Sequence, residues 1–141
     1  MKYLTPRLLL ASVITTISLS AQAEVAVVVN HDSKVRLDER DVRKVFLGKL
    51  TTLADGAEIF PVDLPVGNAT REYFLNKVLH KSEASLNSHW SRMMFSSNAK
   101  PPKAVANVAA VKEEIRKNPY AIAYLDMKDV DGTVTVLFTV Q

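Results

Sequence analysis

The chain has no cysteine. That single absence excludes disulfides, thiolate metal sites and cysteine nucleophiles. It also excludes a lipid attached to a cysteine at a processed N-terminus. Glycine is scarce, with four among 141 residues, and none forms a phosphate-binding P-loop: Gly48-Lys49 has no glycine run upstream. The hydrolase signatures G-x-S-x-G and H-E-x-x-H are missing. The three histidines, His31, His80 and His89, share no helical spacing and read as surface residues rather than a metal site. With no catalytic constellation in view, the sequence is not that of an enzyme, and it implies no metal and no cofactor.

Charge of one sign is also lacking where it counts. Lys2 and Arg7 precede a short apolar run that ends in Ala21-Gln22-Ala23, the layout of a cleavable secretory signal peptide over residues 1–23. The run is too short for a stable membrane anchor. Its removal leaves residues 24–141, with 16 basic against 15 acidic side chains. No broad cationic field remains to attract nucleic acid or a membrane. An exported chain with neither anchor nor disulfides is expected in the periplasm.

What remains is patterned as one α/β domain, three-layer-like, with a central mixed sheet of about four strands and about four helices. Val25-Ala26-Val27-Val28-Val29 reads as a buried strand. Asp38 caps a helix from Glu39 to about Leu47, with Leu37 and Val42 placed as a hydrophobic staple and Gly48 at the stop. A short strand covers about Glu58 to Asp63, where Pro61 favours an edge or an irregularity. Helices follow at about Ala69–His80, Glu83–Phe95 and Val105–Lys117. The helix at about Glu83–Phe95 carries an apolar stripe of Leu86, Trp90, Met93 and Met94. Tyr120–Asp126 and a final stretch alternating at Val134, Val136 and Phe138 read as strands. The expected core comprises Val25, Val27, Val29, Ile59, Ile122, Tyr124, Val134 and Val136, with Phe46, Phe74 and Trp90 packed on it.

The chemistry concentrates in Gly67-Asn68-Ala69-Thr70-Arg71, where a strand hands over to a helix. Gly67 allows close approach to the backbone, Asn68 and Thr70 each add a polar side chain, and Arg71 adds a permanent forked cation. Unpaired N–H groups at a helix start favour an anion. The plainer reading of the same residues is a helix capped by Asn68 with Arg71 in solvent.

The order of motifs weighs on that choice. Val45-Phe46-Leu47-Gly48-Lys49, then Gly67-Asn68-Ala69-Thr70 opening a helix with Phe74, then Pro119-Tyr120-Ala121-Ile122-Ala123-Tyr124, resembles the PstS-like phosphate-binding proteins of bacterial ABC importers, in the type II periplasmic binding protein superfamily. The resemblance runs from Val25 to about Asp126 and implies a binding-protein lobe whose S-G-T phosphate loop falls on Asn68-Ala69-Thr70. Thr70 is kept, Asn and Ala replace Ser and Gly, and the arginine of the pattern falls on Leu64. The importer proteins hold phosphate between two lobes, and residues 24–141 supply about one. The resemblance therefore implies an oxyanion ligand, phosphate or similar, bound weakly, with an ABC permease, a second lobe or another envelope protein as partner. The alternative is an adaptor built from a binding-protein lobe, which would need an exposed apolar patch instead.

Overall fold

In the computed structural model, residues 23–141 are described. The signal-peptide reading falls almost wholly outside them. Five strands form one mixed sheet in the order β3-β2-β4-β1-β5. β1 (Val25–Asn30) lies in its interior, antiparallel to both β4 (Ala121–Asp126) and β5 (Val134–Val140). β2 (Phe60–Asp63) runs parallel to β4 on one side and to β3 (Lys103–Ala104) on the other. Val25 to Val29 and Ala121 to Leu125 are buried without a break. A sheet covered on both faces needs continuous apolar strands rather than alternating ones, and the sequence supplies them in these two. β5 keeps a partial alternation and carries an irregularity opposite Val27/Val28.

The strand count exceeds expectation by one. β3 has two exposed residues and no periodicity of its own. It forms because the backbone after Pro101-Pro102 reaches the open side of β2, and Val105 N–H donates to the Asp63 carbonyl at 3.0 Å. That contact also delays the fourth helix. α4 spans Val108–Lys117 rather than starting at Val105, and Asn107 caps it by accepting from Ala110 N–H at 2.9 Å. Pro61 proves tolerable inside a non-edge strand because β3 pairs only with Val62 and Asp63. At Pro61 the ladder has one neighbour, β4, so no second partner asks for its missing N–H.

α1 (Glu39–Phe46) follows the sequence closely. Asp38 accepts from Asp41 N–H at 2.8 Å, and Val42, Val45 and Phe46 face inward. Gly48 ends the turn at φ +72°, and a Cβ there would stand 2.7 Å from the Trp90 ring. The position therefore needs glycine for its backbone and for close packing at once. The second helix is less regular than expected. α2 (Ala69–Phe74) gives way to a π-helical segment at Leu75–Leu79, and His80 closes it at φ +54°. The wider turn brings Leu75, Val78 and Leu79 inward together with Phe74. Arg43 Nε then takes up the Val78 carbonyl at 2.6 Å.

α3 (Glu83–Ser97) buries Leu86 and Trp90, but the expected stripe fades beyond them: Met93 is half-buried and Met94 is exposed. His89 takes a place on the inward face instead. It is buried, and its Nε2–H donates to the Leu47 carbonyl at 2.8 Å, which corrects its reading as a surface residue. The hydrogen bond is what makes that burial tolerable. At the centre, Phe74 stacks on Tyr124 with centroids 3.9 Å apart, and Phe46 meets Phe74 edge-on at 4.9 Å.

Candidate functional site

The candidate loop leaves the C-terminal end of β2. Pro65 to Asn68 makes a turn closed by Asn68 N–H to the Pro65 carbonyl at 3.1 Å, with Gly67 third at φ +85°. That is the type II arrangement, whose third residue must carry a positive φ. A Cβ on Gly67 would meet nothing within 4 Å, so its Cα faces open space. Asn68 caps α2: its Oδ1 accepts from Arg71 N–H at 3.1 Å and its carbonyl accepts from Glu72 N–H at 3.0 Å. The cap supplies no acceptor to the N–H groups of Ala69 and Thr70. Ala69 is exposed and Thr70 half-buried.

Arg71 stands elsewhere than the sequence suggested. Neither reading of it as a solvated side chain nor as a cation at the loop surface describes its position, for only 6% of it is exposed. Its Nε and Nη2 donate to the two carboxylate oxygens of Glu83 at 3.1 and 2.6 Å. Its Nη1 is ion-paired with Asp63 and donates to the Leu64 carbonyl at 3.3 Å. Asp63 accepts in turn from the Tyr124 hydroxyl and from Leu64 N–H at 2.9 Å. Every part of the guanidinium fork is engaged, and no buried side-chain N or O among the described residues lacks a partner.

The electrostatics follow from that arrangement. Burial by itself would lower the Arg71 pKa. Glu83 and Asp63 outweigh it and hold the group above its ordinary range. Tyr124 is pushed well above its ordinary value, first by burial and then by the adjacent Asp63 charge, so it stays protonated and donates. Two carboxylates surround one guanidinium, so the cluster carries a formal charge of −1. Its field at the loop is the reverse of what an anion would seek.

Sequence reading missed Asp63, Glu83 and Tyr124 as members of this cluster. Asp63 read as a strand end, Glu83 as the first residue of a helix and Tyr124 as core. Their separations of eight and twelve residues from Arg71, and of 61 between Asp63 and Tyr124, leave no local signal. Among the described residues no group of three or more His, Asp or Glu could hold a metal. No described helix is long and apolar enough to cross a membrane. Three surface concavities, of about 620, 550 and 640 Å³, are lined by residues other than Gly67–Arg71. The third runs alongside β2, lined by Phe60, Pro61, Val62, Pro101 and Lys103.

No protein-family model and no curated protein matches the chain. Solved structures do. A protein assigned as a phosphate ABC transporter substrate-binding protein from Clostridium perfringens, solved with bound phosphate, superposes with a TM-score of 0.64 at 20% identity, over 82% of this chain and 44% of that one. An ABC-type phosphate transport receptor from Vibrio cholerae gives 0.59 at 18% identity, over 82% and 45%. PstS from Borrelia burgdorferi gives 0.60 at 11%, over 82% and 46%. The chain spans less than half the length of these proteins, and at such identities the likeness is one of fold. Residues 23–141 thus have the fold of about one lobe of a phosphate substrate-binding protein.

Proposed function

We propose that the chain is an exported, solute-binding-type lobe related to phosphate importers, and that Gly67, Asn68, Ala69 and Thr70 form its contact with phosphate or a similar oxyanion, with Arg71 held back behind them. The observation that carries this reading is the position of the loop. It opens at the carboxyl end of β2, where α/β sheets take their ligands, in a fold shared with proteins of which one was solved with phosphate bound. The outer donors on offer are the Ala69 and Thr70 amides and the Thr70 hydroxyl. Arg71 is tied to Asp63 and Glu83. Few donors and no free cation mean weak binding, with an affinity of about 1 mM rather than 1 μM, which is roughly 4 kcal/mol against 8. A second surface would complete the site: another lobe, an ABC permease or another envelope protein.

Calorimetry of residues 24–141 with phosphate and sulfate tests this. Binding near millimolar, weakened several-fold by Thr70→Val, is expected. Submicromolar binding by the isolated monomer would contradict the argument for a weak site. The export part of the proposal predicts that protein recovered from cells begins at Glu24. Mass spectrometry finding only chains with residues 1–23 intact would overturn it.

A second reading, an interaction module with no small ligand, draws on the exposed apolar residues. Phe95 is 95% exposed beside the exposed Met94 near the end of α3, and Phe60 and Tyr120 are exposed where Phe60 N–H meets the Tyr120 carbonyl. An absence of phosphate binding at any accessible concentration favours this reading.

A further inference from the structure

We propose that Glu83 is a built-in counter-anion which fills the ligand edge of Arg71, and so determines how weakly this lobe takes an oxyanion. The inference rests on the oxyanion reading above. A guanidinium offers its Nε and one terminal nitrogen as a parallel pair of donors, the edge that suits a carboxylate or a phosphate. Here that edge is filled by Glu83 from within the chain, at 3.1 and 2.6 Å.

The two acids on Arg71 are not held alike. The Asp63 side chain is 11% exposed and is fixed by Tyr124, by Leu64 N–H and by Arg71 itself. The Glu83 side chain is 28% exposed, and Arg71 supplies its only hydrogen bonds among the described residues. Ser82 caps α3 through Ser85 N–H without help from Glu83. Glu83 can therefore swing toward solvent at the cost of one pair of bonds, while Asp63 keeps the guanidinium in place. An incoming oxyanion would replace those two bonds one for one. It competes poorly, because a tethered carboxylate acts at a far higher effective concentration than a free ligand. The chemistry selected is a tetrahedral or planar oxyanion with two oxygens free on one side.

The test is phosphate calorimetry on residues 24–141 carrying Glu83→Gln, with folding followed by circular dichroism. Glu83→Gln is expected to bind phosphate at least about tenfold tighter than the parent, and adding Arg71→Gln should remove the gain. Where Glu83→Gln does not fold, Glu83→Asp takes its place. Its carboxylate is one methylene shorter and meets Arg71 less well, and a smaller gain of the same sign is expected. A folded variant with unchanged or weaker affinity overturns the inference, as does a gain that survives Arg71→Gln. Thr70→Val separates the two claims. If it weakens the parent while the Glu83 variants gain nothing, the loop reading stands and this inference fails. If the Glu83 variants gain affinity that Thr70→Val does not touch, the inference stands and the loop is not the contact.

Discussion

Asp63→Ala is expected to lower stability by about 3–5 kcal/mol, the range for removing one partner of a buried ion pair. The change takes the acceptor away from Arg71, from the Tyr124 hydroxyl and from Leu64 N–H together. Arg71 would remain buried with Glu83 as its one carboxylate, and Tyr124 would keep its hydroxyl in an apolar surround. Unsatisfied buried groups cost more than a hydrogen bond contributes. Because a domain of this size has a total stability of about 5–15 kcal/mol, the variant should lose a large fraction of its stability. Asp63→Asn keeps one acceptor and should cost less. Urea unfolding measures both, and a midpoint shared by Asp63→Ala and the parent would mean that the cluster is not buried as described.

Phe46→Ala is expected to cost a further large amount, about 3–5 kcal/mol, as an emptied aromatic site in a close-packed core. Phe46 is 2% exposed and packs against Phe74 at 4.9 Å and Tyr124 at 5.8 Å, edge-on to both. It joins α1 to the sheet and to α2, so the cavity cannot be closed by shifting one helix alone. Phe46→Leu should cost much less, because most of the volume stays filled. Thermal unfolding of both variants checks this. A Phe46→Ala protein that melts with the parent would put Phe46 outside the core.

The parts of this fold that could be read from sequence are those whose signals are local. The continuous apolar run of β1, the Asp38 cap of α1 and the Gly48 stop each act within a few residues, and each forms as expected. What escaped depends on distant partners. β3 exists because β2 has an open side. The π-helical segment depends on how Leu75, Val78 and Leu79 must turn to meet the sheet. His89 goes inward because Leu47 presents a carbonyl to it. Arg71 is the case with functional weight. Its spacing from Asn68 places it in the first turn of a helix, and it lies there in α2. Nothing in the spacing could reveal that Asp63 and Glu83 would close on it from either side and turn a candidate anion ligand into an internal ion pair. The apolar stripe of α3 misled for the opposite reason: Met94 has the right period, but the core ends before reaching it.

We propose the loop at the end of β2 as the anion contact, with Arg71 withheld from it by Asp63 and Glu83. Amide NMR of residues 24–141 during a phosphate titration tests this most directly. Shifts centred on Gly67, Asn68, Ala69 and Thr70 are expected at millimolar phosphate, with the Arg71 Nε–H signal unmoved while Glu83 is present. No shift in the loop, or shifts centred instead on the concavity lined by Phe60, Pro101 and Lys103, would contradict this.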